Sequence, residues 1–201
     1  MKSIIIAVAA FSLFGATGCA AGLKVSAGGK KQAPQFKSYS MDNNYFSCSV
    51  PSSWSLEREK EKDEQYKIYE IQLLAPRSDK APTSVFVSFF AKDNEDFSDY
   101  QDYIDRHSKN ALGETKSARE NYEPLKKITL GGRKGFELSN EVLQYLHPES
   151  KSDESVQLKE KIYVLPAKDG FYALRFNAPK TAFLENLKTF EKIALSFKGK
   201  P

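Results

Sequence analysis

Cys48 is the one nucleophile candidate in the body of the chain, and only His107 and His147 exist to activate it. Such a pair needs the imidazole within hydrogen-bond reach of the sulfur and a third group to orient it. Cys48 instead alternates with Phe46 and Val50 on one face of a strand-like run, where a thiol behaves as a small buried hydrophobe. The two histidines are far apart and have no thiol or carboxylate cluster at ligand spacing, so no zinc motif is present. Asp93, Glu95, Asp96 and Asp99 offer carboxylate oxygens suited to calcium, but the stretch lacks the glycine turn and closing Glu of an EF-hand. Acidic residues ahead of a helix are favourable through its dipole alone, and that is their expected role. Lys126, Lys127, Arg133 and Lys134 bracket Gly131-Gly132 and form the candidate partner-contact patch, although lysines at hairpin ends also serve solubility. The chain contains no phosphate-cradling glycine loop, HExxH or GxSxG. No catalytic residue, metal or cofactor is assigned, and the chain is not expected to be an enzyme.

Cys19 calls for different chemistry. It closes Met1–Cys19, in which Lys2 precedes the apolar run Ile4–Phe14 and the small residues Gly15, Ala16, Thr17 and Gly18. That order is a secretory signal. The apolar run is too short to cross a hydrocarbon core, which needs about 20 residues. Small side chains leave the backbone open to a peptidase, and the thiol can carry a diacylglyceryl thioether. ATGC resembles the lipobox of bacterial lipoproteins, with Ala16 where Leu is more common. Cys19 is the expected lipid-attachment site, with palmitate-type chains anchoring the protein to a membrane. Two other outcomes fit the same residues. Ordinary signal peptidase at Ala16-x-Gly18 would release a soluble chain in which Cys19 pairs with Cys48, or the segment would stay as an N-terminal anchor.

The elements that must position these residues follow from patterning. Charged residues make up 28% and hydrophobic ones 40% of 201, a globular composition without a spanning segment. Thirty Lys and Arg against 26 Asp and Glu leave a net charge of +4, too small an excess to indicate nucleic-acid binding. Residues 1–18 are read as signal peptide, 19–35 as a flexible tether rich in Ala, Gly and Lys, and 36–201 as one domain, expected to be monomeric.

Within the domain, Phe46–Val50 alternates as a strand ended by Pro51, with Trp54 as a core plug. Glu57–Glu64 is a solvated charged run. Tyr66–Ala75 is a strand with Tyr69, Ile71 and Leu73 on one face, and Thr83–Ala91 a central strand covered on both. Ser98–Leu112 is a helix with Ser98 as its cap and Gly113 as its stop. Strands Leu125–Leu130 and Lys134–Leu146 join through Gly131-Gly132. Pro148–Glu154 is a loop. Val156–Leu165 and Phe171–Asn177 flank a turn at Lys168-Asp169-Gly170. After Pro179 comes a helix with Phe183, Leu187, Phe190 and Ala194 on one stripe. The order ββββ-α-ββββ-α predicts an α+β fold, an antiparallel sheet with packed helices.

These stretches resemble the PsbP-like superfamily, and within it the small bacterial periplasmic lipoproteins of the DcrB type. The resemblance rests on the early strand closing on VPSSW, and on FVSFF followed by an acidic turn and a helix. It continues through ITLGGRKGFEL and the closing FYALRFNAPKTAFLENLKTFEKIALSFK, and covers about Tyr39–Lys198. It implies a sheet sandwiched by helices in a protein that binds or helps assemble other components, as photosynthetic members do on a membrane complex. A related eukaryotic fold binds a small GTPase. The superfamily brings no catalytic motif. The expected function is a lipid-anchored, non-catalytic binding or assembly module of the cell envelope, facing the periplasm. Ala20, rather than Asp, after the cysteine favours the outer membrane. The alternative is a small-ligand binder with a pocket between sheet and helices.

Overall fold

The computed structural model describes residues 34–76 and 80–200. The signal segment, Cys19 and nearly all of the tether lie outside the described residues.

Eleven strands and three α-helices are described, in the order β1 (Phe36–Ser40), β2 (Phe46–Pro51), β3 (Ser55–Glu57), α1 (Lys60–Tyr66), β4 (Ile68–Leu74), β5 (Ser84–Ala91), α2 (Tyr100–His107), β6 (Glu120–Tyr122), β7 (Lys126–Leu130), β8 (Arg133–Tyr145), β9 (Ser155–Ala167), β10 (Gly170–Pro179), α3 (Lys180–Ser196) and β11 (Lys198–Gly199). Eight strands make one sheet in the order β3-β4-β5-β10-β9-β8-β6, with β7 pairing β8 off that path. A small sheet, β1-β2-β11, joins the two ends of the described chain. Every pairing is antiparallel. The fold is α+β, as the patterning predicts.

Strict alternation divides the core. Tyr69, Ile71 and Leu73 of β4, Val85, Val87 and Phe89 of β5, and Tyr172, Leu174 and Phe176 of β10 face one side. There they meet Phe183, Phe190, Ile193 and Ala194 of α3 and Phe46, Cys48 and Val50 of β2. The intervening residues Phe90, Phe171, Ala173, Ile162 and Val164 face the other side, under Tyr103 and Ile104 of α2. β5 is central, as its apolar run requires, and pairs with β4 and β10.

Pro51 ends β2 as predicted, opposite Phe36 of β1. Three local expectations change. The charged run is not simply solvated. Lys60–Tyr66 is a short helix, and Asp63 is buried because Arg58 donates to its Oδ2 from Nε at 2.8 Å and Nη2 at 2.7 Å. α2 is shorter than predicted, and its cap is Asp99, whose Oδ1 accepts from the N–H groups of Gln101 (2.8 Å) and Asp102 (2.9 Å). Gly113 turns the chain in the loop beyond, well after the helix has ended at His107. The Gly131-Gly132 turn is as predicted, with both φ values positive (55° and 81°), the geometry a two-residue hairpin loop asks for.

Candidate functional site

The register that alternates the core also aligns polar residues across the sheet face that α2 only partly covers. The α2-side cluster reaches Leu138 of β8 and Ile162 of β9. One step along the strands, Ser84, Asn177, Glu160, Asn140 and Tyr122 form a row across β5, β10, β9, β8 and β6. Arg175 stands between this row and the apolar cluster, directly opposite Phe86 on β5 and Ile162 on β9.

Arg175 sets the character of the site. Its guanidinium carbon lies 4.5 Å from the centroid of the Phe86 ring, a cation–π contact. Its Nε is 3.6 Å from Glu160 Oε1, beyond hydrogen-bond length, and its side chain is 34% exposed. Among the described residues its guanidinium donates no hydrogen bond. Glu160 accepts from Asn140 Nδ2 at 2.9 Å. Asn177 Oδ1 is buried and has no hydrogen-bond partner among the described residues. Glu70 of β4 accepts from Ser88 Oγ at 2.5 Å, and burial pushes its carboxyl above the usual glutamate range. The row thus combines unused guanidinium donors with an unused amide acceptor. The guanidinium recognises an acceptor, such as a carboxylate or an amide carbonyl on another chain.

His107 and Tyr103 border this face. Their rings stack at 4.0 Å, and His107 Nδ1 is 2.7 Å from the Tyr103 carbonyl oxygen. Burial holds the imidazole below the usual histidine range. Cys48 lies in the other core cluster, with its thiol pushed up to about 12 by burial. His147 is in the β8–β9 loop, with Nε2 3.6 Å from Glu154. Among the described residues, the chemically capable side chains are therefore dispersed, and no Cys–His pair forms. Of the acidic stretch, Asp99 caps α2 and Asp93 lines a cavity at the sheet's end, while Glu95 and Asp96 are exposed. Among the described residues, no three His, Cys, Asp or Glu side chains gather at a metal-holding distance.

The four basic residues of the candidate contact patch do not share a surface. Register puts Lys127 opposite Phe136, which packs on the α2 side, and Lys134 is two residues from Phe136 on that same face. Lys126 and Arg133 face the α3 side. Lys126 Nζ is 3.1 Å from Glu123 and 3.8 Å from Glu137. Arg133 Nη2 donates to the carbonyls of Gly199 (2.7 Å) and Lys200, holding the C-terminal strand. Sequence proximity across a hairpin turn suggested one patch, and the two-residue period of the strands divides it.

A cavity of about 300 Å³ opens at the end of β5 and β10, walled by Tyr45, Phe89 and Tyr172 and rimmed by Lys92, Asp169 and Lys200. It lies between the sheet's end and the C-terminal strand, not between the sheet and a helix.

Sequence reading missed Arg175, Glu160, Glu70 and Asn177. Their signal was available as charged or amide residues at strand positions that alternate with core residues, as in Ala173–Asn177, where Arg175 replaces an apolar residue.

No family model matches the chain, and no curated protein matches it. Solved structures do. The solution structure of cyanobacterial PsbP (CyanoP) from Synechocystis sp. PCC 6803 matches with a TM-score of 0.50 at 14% identity, over 88% of this chain and 99% of that one. A crystal structure from Bacteroides thetaiotaomicron gives 0.50 at 13% identity over 82% of this chain, which spans 48% of that longer protein. The Saccharomyces cerevisiae Ran-binding protein Mog1p gives 0.49 at 10% identity, over 83% of this chain and 96% of that one. In fold, the chain is PsbP-like.

Proposed function

We propose that the chain is a lipid-anchored, non-catalytic binding or assembly module of the cell envelope, a DcrB-type lipoprotein, and that it recognises its partner at the polar row around Arg175. Lipidation at Cys19 is read from Met1–Cys19 and would hold the domain at the periplasmic side of a membrane, the outer one where the cell has two. The observation that supports a binding role is Arg175, whose guanidinium is seated on Phe86 yet donates no hydrogen bond among the described residues. A guanidinium seated on a ring, ion-paired with Glu160 but donating no hydrogen bond, is suited to an acceptor on another molecule. The absence of catalysis is inferred from dispersion, since Cys48 belongs to one core cluster, His107 stacks on Tyr103 of the other and His147 lies in a distant loop.

The test is a photocrosslinking residue in place of Gln72, which stands opposite Phe86 on β4. In cells it should trap a discrete envelope protein, and Arg175→Lys should abolish that product. A crosslink that persists unchanged in Arg175→Lys would remove Arg175 from the interface.

The cavity at Tyr45 and Tyr172 favours a second reading, a small-ligand binder. Its aromatic wall suits a flat apolar body, and Lys92, Asp169 and Lys200 suit a polar head. Tryptophan and tyrosine titrated against the protein by calorimetry probe this reading, and absence of heat at millimolar ligand would count against it.

A further inference from the structure

The outer face of α3 carries Leu184 and Leu195, which are 77% and 71% exposed, whereas the helix's other face is buried in the core. Eleven residues of α-helix return a side chain to within about 20° of its starting direction, so the two leucines lie on one ridge. Lys188 and Lys192 are exposed on one flank of this ridge, and half-buried Glu191 lies on its other side. Leucines flanked by lysines along a helix face suit an interfacial helix, apolar groups for the acyl boundary and cations for phosphate headgroups.

The path of the chain says which surface this ridge faces. β1 begins at Phe36, and Lys192 Nζ lies 4.0 Å from the centroid of the Phe36 ring. The described chain therefore begins beside α3. Fully extended, the residues from Cys19 to Phe36 reach at most about 60 Å. A domain held within that distance meets the bilayer at a millimolar-scale effective concentration, so even a contact too weak to bind a free protein is populated.

We propose that the outer ridge of α3, with Leu184 and Leu195 as apolar contacts and Lys188 and Lys192 as cationic ones, is a reversible docking surface for an anionic bilayer. It lays the α3 side against the membrane and leaves the α2 side, with Arg175, turned outward. This rests on the reading that the N-terminal segment tethers the protein.

Protein purified from the membrane fraction and reconstituted in vesicles with 30% anionic lipid and brominated acyl chains provides the test. Three variants each add one exposed tryptophan, Leu184→Trp, Leu195→Trp and, as control, Leu112→Trp in the loop after α2. Trp54 is buried and supplies a constant background. Bromine should quench the tryptophans at 184 and 195 at least twofold more than that at 112. Lys188→Glu with Lys192→Glu, or neutral vesicles, should reverse most of that difference. Equal quenching at all three sites overturns the proposal, as does quenching indifferent to headgroup charge. A blue shift at 184 and 195 without vesicles would mean that the ridge pairs with a second copy, and overturns it too. If mass spectrometry finds no lipid on Cys19, coupling its thiol to a maleimide lipid restores the tether. The ridge is then tested separately from the anchor.

Discussion

The guanidinium of Arg175 sits 4.5 Å from the ring of Phe86, its direct cross-strand partner in the β5–β10 pair. A charged side chain is thus held on the face of a sheet whose neighbouring positions are apolar, and the aromatic ring holds its stem in place while the donors remain unused. Arg175→Lys keeps the charge but loses the planar fork and most of the stacking. We expect a stability cost of no more than about 1 kcal/mol, the range of a partly exposed cation–π contact. Thermal unfolding should register that small loss while the Gln72 crosslink disappears, and unfolding of the variant at growth temperature would instead make Arg175 structural.

Glu70 gives the account a pH dependence. Burial raises its carboxyl, against the opposing hydrogen bond from Ser88 and the charge of Arg175. The folded chain therefore keeps this proton to a higher pH than the unfolded chain does. Its contribution to stability is full below the ordinary value of 4.5 and declines as pH rises through the raised folded value. Glu70→Gln should match the parent protein in acid and exceed it at neutral pH in urea-unfolding midpoints. A variant equally shifted at pH 4 and pH 7 would show that the carboxyl does not titrate in this way.

Cys48 should be chemically silent in the folded protein. Its thiol is 3% exposed and raised to about 12 by burial, so thiolate is scarce and access is closed. Iodoacetamide near pH 7 should label Cys48 only after denaturant is added, and Cys48→Ala should cost roughly 1 kcal/mol without loss of function. Rapid labelling of the native protein would restore Cys48 as a nucleophile candidate.

Besides Arg133 and the pairing with β2, Tyr172 holds the C-terminal strand. A Cβ on Gly199 would lie 2.6 Å from Cε2 and Cζ of Tyr172. The Tyr172 hydroxyl donates to the Tyr45 carbonyl at 2.9 Å and accepts from the Lys200 N–H at 2.8 Å. Gly199→Ala should destabilise the domain by about 1–3 kcal/mol through overpacking. Tyr172→Phe should cost about 1–2 kcal/mol through lost hydrogen bonds. Amide exchange should localise both losses to Phe46, Ser47 and the last residues of the chain. Exchange unchanged in those residues would show that the strand is held elsewhere.

The fold was legible where burial imposes a period. Thr83–Ala91 reads as a central strand because it is β-branched and aromatic, and α3 reads as a helix because Phe183, Leu187, Phe190 and Ala194 recur on one stripe. α1 was not legible, because KEKDEQY has no apolar stripe and its buried Asp63 depends on Arg58, a tertiary pairing. β11 is two residues long, and its place is set by β2, Arg133 and Tyr172 rather than by its own side chains. The Arg175 row was invisible for a related reason. Glu70, Asn140, Glu160 and Arg175 lie on four strands, and only the register brings them together. The basic patch erred in the opposite sense, since neighbours in sequence separated onto two faces.

The mass of the mature N-terminus tests the central claim most directly. An anchored envelope module predicts cleavage before Cys19 and an N-terminal peptide carrying a diacylglyceryl thioether, with the protein wholly in the detergent phase and not released by high salt. Cys19→Ser should remove the acceptor and leave uncleaved precursor or a soluble product. A mature chain with an unmodified Cys19, or with Cys19 bonded to Cys48, would contradict the account.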